Sequence, residues 1–501
     1  MVMSKNKSLS KPRVMFSCLG DQARAAAINI VNKGILDPWA TLDYHNSTGP
    51  RPVCSSKAHS IEDILAKARR QEPLSTLPRL SDLDIFHACP GLIYCLDYMQ
   101  NRLYDGLITT YEQRRAISTY IISFWSGELS VELPDLVISQ SAPHEVVDYA
   151  LFILCLWKGI PWITLQYNPW GHRPVWLTSD SHGNLKSIPI GIPSLSAIPR
   201  ASQELAVQKL LATLRQNRAW DDRHDMKAAK QSKAKHKLFS YFKTASKAAL
   251  KGLILRDNSI DRAYLRWLDR KCSPLPGNEP LNLNEAYIYF PLNYQPELTT
   301  CPLGGMFCDQ LLAIRAIASA LPAGWFIYVK EHPAQFLGHS YGYLGRTDLF
   351  YDQLKSIPQV RLVPADIHSQ LLIDACRLVA TLTGSVGYEA LARSKCVLVF
   401  GDVWYGNTEG CFRVAKPSDI HHKLFKALNY TIAPQRVESD FLQAADQSLL
   451  FFGESSTALS YGYTWDVCQE QACIDDFLHA IPTLDLEGTS GQWRLDTSPC
   501  L

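Results

Sequence analysis

The chain is predicted to be an α/β protein of two doubly wound domains joined by a helical connector. Three observations predict this. Its 501 residues exceed what one hydrophobic core usually serves. In both halves, apolar runs of strand length alternate with helical runs and glycine stops, the βαβ rhythm of a parallel sheet. Between the halves, residues 201–284 lose that rhythm and turn rich in Ala, Lys, Gln and Arg. The expected division is 1–200 and 285–430 for the two α/β domains, 201–284 for the connector and 431–501 for a helical tail.

Composition bounds the class. Apolar residues make up 47% and charged residues 20%, a globular balance. Fifty Lys and Arg against 48 Asp and Glu leave a net charge of +2, which argues against a protein that coats nucleic acid. No window approaches the roughly 18–20 apolar residues of a membrane span. The start, 1–12, is polar, and the apolar run Val14–Leu19 is short for a signal-peptide core, so a cytoplasmic chain is expected. The 14 cysteines are scattered, include no CxxC pair, and in cases such as Cys155 and Cys396 sit in apolar runs. They read as buried free thiols rather than a zinc site or disulfide framework.

The elements follow in order. Residues 11–19 (KPRVMFSCL) read as an opening strand, Gly20 as a stop and Asp21–Lys33 as a helix. Pro134–Ser139 is a compact second strand. Glu145–Lys158 is a helix ended by Gly159, and Ile160–Gln166 the next strand. In the connector, eight lysines between 227 and 251 have no acid among them. They read either as a solvated helix face or as a surface attracted to an anionic membrane or polymer. The rhythm resumes with strands at Ala286–Pro291, Trp325–Val329, Val360–Val363, Leu378–Leu382 and Cys396–Phe400, and helices at Cys308–Ala320, His368–Cys376 and Tyr388–Arg393. After Ala415 the chain reads as mixed and helical.

In open parallel sheets, ligands bind beyond the carboxyl ends of strands. Three strand ends in the second half carry chemistry-bearing residues: Asn293 to Glu297, including Gln295; Lys330, Glu331, His332 and Pro333; and Thr383, Gly384, Ser385, Val386, Gly387, Tyr388 and Glu389. The last is a Gly-Ser bend between strand and helix. Its glycines permit close backbone approach, the helix start offers N–H groups to an anion, and Glu389 can accept from a ribose hydroxyl. The same bend can be a plain helix cap. It lacks the lysine of a P-loop. Lys330 and His332 supply cationic donors one βα unit away. A phosphate gripped between His332 and Ser385 is the central expectation. Arg346 is a further anion-contact candidate.

These motifs (YFPLNYQPE, YVKEHP and VATLTGSVGYEALARSKCVLVFG) resemble the C-terminal half of bacterial capsule polysaccharide biosynthesis proteins, a family that includes retaining β-Kdo transferases. The HP pair with a Ser-bearing turn is also similar to bacterial sialyltransferases. The resemblance is strongest over 285–405 and looser over 134–166. It implies a GT-B-like fold, two Rossmann-type domains facing a cleft, and a nucleotide-sugar donor such as CMP-Kdo with no resident cofactor or metal. It implies that His332 and Ser385 hold the donor phosphate, with Glu389 on the nucleotide. The acceptor, a glycolipid or oligosaccharide, would fall to the first domain, and the lysines of 227–251 would touch the inner membrane peripherally. No nucleic-acid partner is implied.

The expected catalytic carboxylate lies after the strand 134–139, among His144, Glu145 and Asp148; His144 and Asp148 share a helix face. The competing reading is a helix first turn with favourable acids. Two strings are decoys. His144-Glu145-Val-Val-Asp148 misses the second histidine of HExxH, and Gly338-His-Ser340-Tyr-Gly342 lacks the strand and helix a nucleophile elbow requires. A teichoic-acid-type polyol-phosphate transferase with a CDP donor is a closer rival, and a capsule-assembly scaffold without catalysis another. The rival transferases typically carry Asp-Tyr-Ser-Ser where this chain has Thr-Gly-Ser-Val-Gly.

Overall fold

The computed structural model describes residues 11–44, 53, 57–102, 110–190, 200–216, 281–332, 335, 345–346, 348–364, 367–448 and 467–484. Pro333, the 338–342 string and the Lys-rich 227–251 lie outside the described residues.

Two parallel-rich sheets organise the chain, as the sequence predicts. The first contains β1 (Arg13–Ser17), β2 (Asp37–Asp43), β3 (Ala58–Ser60), β4 (Leu136–Ser139), β5 (Trp162–Asn168), β6 (Gly171–Ser179) and β7 (Leu185–Pro189). Their order is β3-β2-β1-β4-β5-β6-β7. The first five are parallel, while β6 and β7 are antiparallel additions at one edge. Helices α1 (Asp21–Asn32), α2 (Ile61–Arg70), α3 (Pro90–Met99), α4 (Tyr111–Val131) and α5 (Val146–Lys158) cover its faces. α4 begins at a capping box, Thr110 with Gln113. α5 is apolar and buried from Val146 to Leu156, and Gly159 ends it at φ 69°, a left-handed conformation that glycine adopts without a Cβ clash.

The second sheet contains β8 (Tyr287–Pro291), β9 (Phe326–Lys330), β10 (Val360–Val363), β11 (Leu378–Thr381), β12 (Val397–Val399) and β13 (Cys411–Arg413), ordered β10-β9-β8-β11-β12-β13. Every pairing is parallel. In domain numbering this is 3-2-1-4-5-6, the doubly wound order whose topological switch lies between its first and fourth strands, here β8 and β11. Tyr287 through Phe290 and Leu378 through Thr381 are fully buried, as strands covered on both faces must be.

Seven further helices complete the described chain's longer elements: α6 (Arg200–Arg215), α7 (Gln310–Ala320), α8 (Asp348–Lys355), α9 (Ser369–Ala375), α10 (Val386–Ala392), α11 (Ile420–Leu428) and α12 (Pro434–Asp446), with α13 (Val467–Ala480) after them. α7 starts later than the periodicity suggests, because 305–308 form a 3-10 turn and Asp309 caps the helix through Leu311 N, 3.1 Å. α6, read from sequence as connector, inserts Val207, Leu210 and Leu214 into the core of the second sheet. α13 crosses back and packs on α1, where Ile474, Phe477 and Leu478 join Val14 and Phe16 in the core.

The carboxyl edges of the two sheets face each other. Gln166 near the end of β5 and Ser187 of β7 reach Asp402, just beyond β12. Trp170, between β5 and β6, belongs to the second core and packs edge-on against Trp404. The chain after β8 plugs Leu298, Cys301, Leu303 and Cys308 into the first domain's core. No helix among the described residues is long and apolar enough to cross a membrane.

Candidate functional site

The loops after β9, β8 and β11 leave three adjacent parallel strands at one rim. His332 and Ser385 therefore lie on the same rim, beyond strands that are two spacings, about 10 Å, apart. The switch between β8 and β11 runs between them.

The β8 and β11 loops are bonded to one another. Thr381 Oγ1 donates to Asn293 Oδ1 at 3.2 Å and accepts from Gly384 N at 3.1 Å. Asn293 Nδ2 donates to Thr383 Oγ1 at 3.3 Å, and that hydroxyl donates to Thr299 O at 2.5 Å. Ser385 Oγ donates to the buried carboxylate of Glu389 at 2.9 Å, one turn along α10. Glu389 thus orients the serine from inside the fold. The glycines have packing causes. A Cβ on Gly387 would stand 2.2 Å from the Tyr405 hydroxyl, which donates to Gly384 O at 2.6 Å. A Cβ on Gly384 would meet Thr381 Oγ1 at 2.8 Å.

The β9 loop is held from beneath. Glu331, fully screened from solvent, accepts from His332 N at 2.8 Å, from Tyr351 OH at 2.7 Å and from Arg346 Nε at 3.0 Å. Arg346 also donates to Asn293 O at 3.0 Å and to Gln295 Oε1, tying the β8 and β9 loops together. Burial works to lower the guanidinium pKa, but the Glu331 carboxylate and its neighbours hold it above its ordinary value. The anion that Arg346 contacts is therefore Glu331. His332 is half-buried beside Tyr294, ring centroids 6.0 Å apart.

The other named donor-side residues are placed as follows. Lys330 is buried and donates to Ile367 O and to Ser369 Oγ, the latter at 3.2 Å. Gln295 is buried among Tyr98 OH, Cys308 O, Gln310 and Gln335. Glu297 is exposed and accepts from Thr299 Oγ1 at 2.7 Å. His332, Thr383, Gly384 and Ser385 thus form the rim proper, while Gln295, Lys330, Gly387 and Glu389 are buried within its support, so Glu389 steadies Ser385 rather than meeting a ribose hydroxyl as expected.

Across the cleft, the first sheet offers its own rim. Asp148 accepts from Glu145 N at 2.8 Å and His144 N at 3.4 Å, closing the first turn of α5, and His144 Nδ1 lies 2.9 Å from Ala142 O. Three residues from other strand ends stand close by, and sequence reasoning missed them. Cys18 follows β1 at φ 51°, a strained backbone for a residue with a Cβ. Burial, then the charges of Asp148, Asp43 and Glu145, push its thiol well above the ordinary range. Asp43 ends β2 and takes a two-pronged bond from buried Arg24, 2.9 and 2.6 Å. Tyr44 follows it, its phenol pushed up by burial and by Cys18, Asp148 and Glu145. The available signal was β1's carboxyl end, the first place to look in a doubly wound domain.

Residues 172–427 match the family model described as capsule polysaccharide biosynthesis protein, slightly more than half of the chain. The chain belongs to that family. The match runs from β6 through the whole second sheet to α11, so it contains every donor-side residue named above. Among solved structures, this capsule biosynthesis protein is similar to KpsC of Thermosulfurimonas dismutans. A β-Kdo 2,4 transferase unit of KpsC shows 16% identity over 62% of this chain and 87% of that one, TM-score 0.26. A β-Kdo 2,7 transferase unit shows 10% identity over 73% and 91%, TM-score 0.26. UDP-GlcNAc 2-epimerase from Methanocaldococcus jannaschii shows 12% identity over 86% and 98%, TM-score 0.23. No curated protein matches the chain.

Proposed function

We propose that this capsule biosynthesis protein is a glycosyltransferase that moves a sugar from a nucleotide donor to a glycolipid or oligosaccharide acceptor. One observation carries the reading: the family-defining segment coincides with a doubly wound sheet whose switch-point rim holds His332 and the Ser385 bend. Donor phosphate would lie between the imidazole and the backbone and hydroxyl of 383–387, and its leaving charge would be stabilised there. The Glu331–Arg346–Tyr351 cluster sets the height of His332; Glu389 aims Ser385. The acceptor would enter against the first rim, where Glu145 and Asp148 are the carboxylates available as base or nucleophile. A CMP-activated sugar, Kdo first among them, is the donor proposed on motif resemblance. Peripheral membrane contact through 227–251 is proposed on charge alone.

The test is calorimetric titration of the full chain with CMP, CDP, UDP and GDP, then with the sugar nucleotide of whichever binds. His332→Ala is expected to weaken binding at least tenfold, about 1.4 kcal/mol. Unchanged affinity removes His332 from the donor site. Glu145→Gln and Asp148→Asn, made separately, test the carboxylates; full turnover in both removes this segment from the mechanism. A CDP-only profile would favour polyol-phosphate transfer.

A further inference from the structure

Three thiols from distant parts of the chain meet at the seam between the domains. Cys95 lies in α3, Cys301 in the segment after β8, and Cys308 ends the 3-10 turn Gly305–Cys308. Their Sγ atoms all lie within 4.8 Å of one another, and all three residues are buried. Four-coordinate zinc with Zn–S bonds of about 2.3 Å places its sulfurs about 3.8 Å apart, so this triangle needs only small side-chain adjustments to close on one ion. A disulfide would join two of the three at about 2.05 Å and strand the third.

The buried hydroxyl of Tyr149, on α5, borders the same cluster and lies against the Cys95 thiol. A pocket of about 330 Å³ lies nearby, lined by Gly91, Tyr94, Met306 and Asp309 among others, and Tyr94 stands close to both Cys308 and Cys95.

We propose that Cys95, Cys301 and Cys308 bind one zinc ion as a three-thiolate site that staples the two domains, with a fourth position open toward Tyr149. Thiolate sulfur selects zinc over hard cations such as magnesium or calcium. Binding replaces three S–H protons with one Zn²⁺; the protons leave to solvent and no electrons move. Among the bonds given up are weak ones from sulfur: Cys95 Sγ to Gly305 O at 3.6 Å, Cys301 Sγ to Cys95 O at 3.5 Å and the contacts among the thiols themselves. The ion would anchor the excursion after β8 whose base, Asn293 and Gln295, braces the donor-side rim. The site is independent of the transferase reading, and its test needs no substrate.

Full-length protein, kept reduced and stripped with a chelator, is titrated with Zn²⁺ against a chromophoric competitor and in parallel with Co²⁺. One equivalent of zinc per chain is expected, together with a thiolate-to-cobalt charge-transfer band, a readout on the unmutated protein that no folding defect confounds. Cys301→Ser and Cys308→Ser should each weaken zinc binding at least about tenfold, while Cys396→Ser, in the core of the second sheet, should not. No uptake by the fully reduced chain, a cobalt spectrum without thiolate transitions, or uptake that survives replacing all three cysteines would each overturn the site. So would a native disulfide between any two of them in protein purified under non-oxidising conditions.

Discussion

Arg346→Met is the most discriminating perturbation of the donor-side rim. Arg346 and Glu331 are each 2% exposed in their side chains and paired at 3.0 Å. Methionine fills much of the space under Phe350, which the guanidinium covers at 4.5 Å, but it leaves Glu331 charged and out of water. Two donors remain to that carboxylate, His332 N and Tyr351 OH. Removing one partner of a buried ion pair costs about 3–5 kcal/mol. At about 2–4 °C per kcal/mol for a domain of 150–250 residues, a loss of about 4 kcal/mol lowers the melting temperature by about 8–16 °C. Thermal unfolding followed by circular dichroism measures it. The double variant Arg346→Met/Glu331→Gln removes the stranded charge and keeps an acceptor for both donors, so at least about half the loss should return. A single-variant shift under about 2 °C, or a double variant that recovers nothing, would refute the argument that uncompensated charge sets the cost.

Three other outcomes follow from named contacts. Burial holds His172 at about 4 against an ordinary 6.5, so the folded protein resists a proton that the unfolded chain accepts. Stability from this group is full above about pH 6.5 and is lost as pH falls toward 4, by up to about 3 kcal/mol; His172→Gln should flatten that part of the melting-temperature profile, and an unchanged slope would exclude the group. Gly387→Ala drives a methyl into Tyr405 and should cost about 1–3 kcal/mol in urea unfolding, partly restored by adding Tyr405→Leu; an unchanged midpoint would show that the ring gives way. Asp402→Ala removes the shared acceptor of Gln166 and Ser187 and leaves Arg413 without its 3.7 Å partner. It should lower the urea midpoint by the equivalent of about 1–3 kcal/mol, whereas a surface-like response under about 0.5 kcal/mol would mean the seam there is already wet.

The inner strands of the second sheet, β9, β8, β11 and β12, were legible because burial on both faces makes them read as apolar runs, from AYIYFP to CVLVF, whereas the edge strand β13 is only three residues, Cys411–Arg413, two of them half-buried, and gave no such run. The edge hairpin β6–β7 was not. Pro174 and the turn residues Asn168 to Gly171 look like loop, and antiparallel addition breaks the βαβ rhythm. β2 hid behind Pro38 for the same reason. At the site, the rule that loops beyond carboxyl ends matter located the rim, but not the division of labour within it. Lys330 and Gln295 stand two residues from His332 and Asn293, yet Lys330 is drawn to Ile367 O and Ser369 Oγ, and Gln295 is claimed by Arg346 and Tyr98. Arg346 gave no sign in sequence that its anion would be Glu331. The three thiols gave none either, since Cys95 and Cys301 lie 206 residues apart.

The return of α13 to the first domain has a consequence for how the polypeptide matures. Ile474, Phe477, Leu478 and Ile481 seal the apolar face of α1, although β7 is complete by residue 189. At about 5–20 residues per second, the ribosome delivers that lid roughly 15–60 s after the strands it covers. During that interval the nascent first domain carries an open greasy flank, a natural target for holding chaperones.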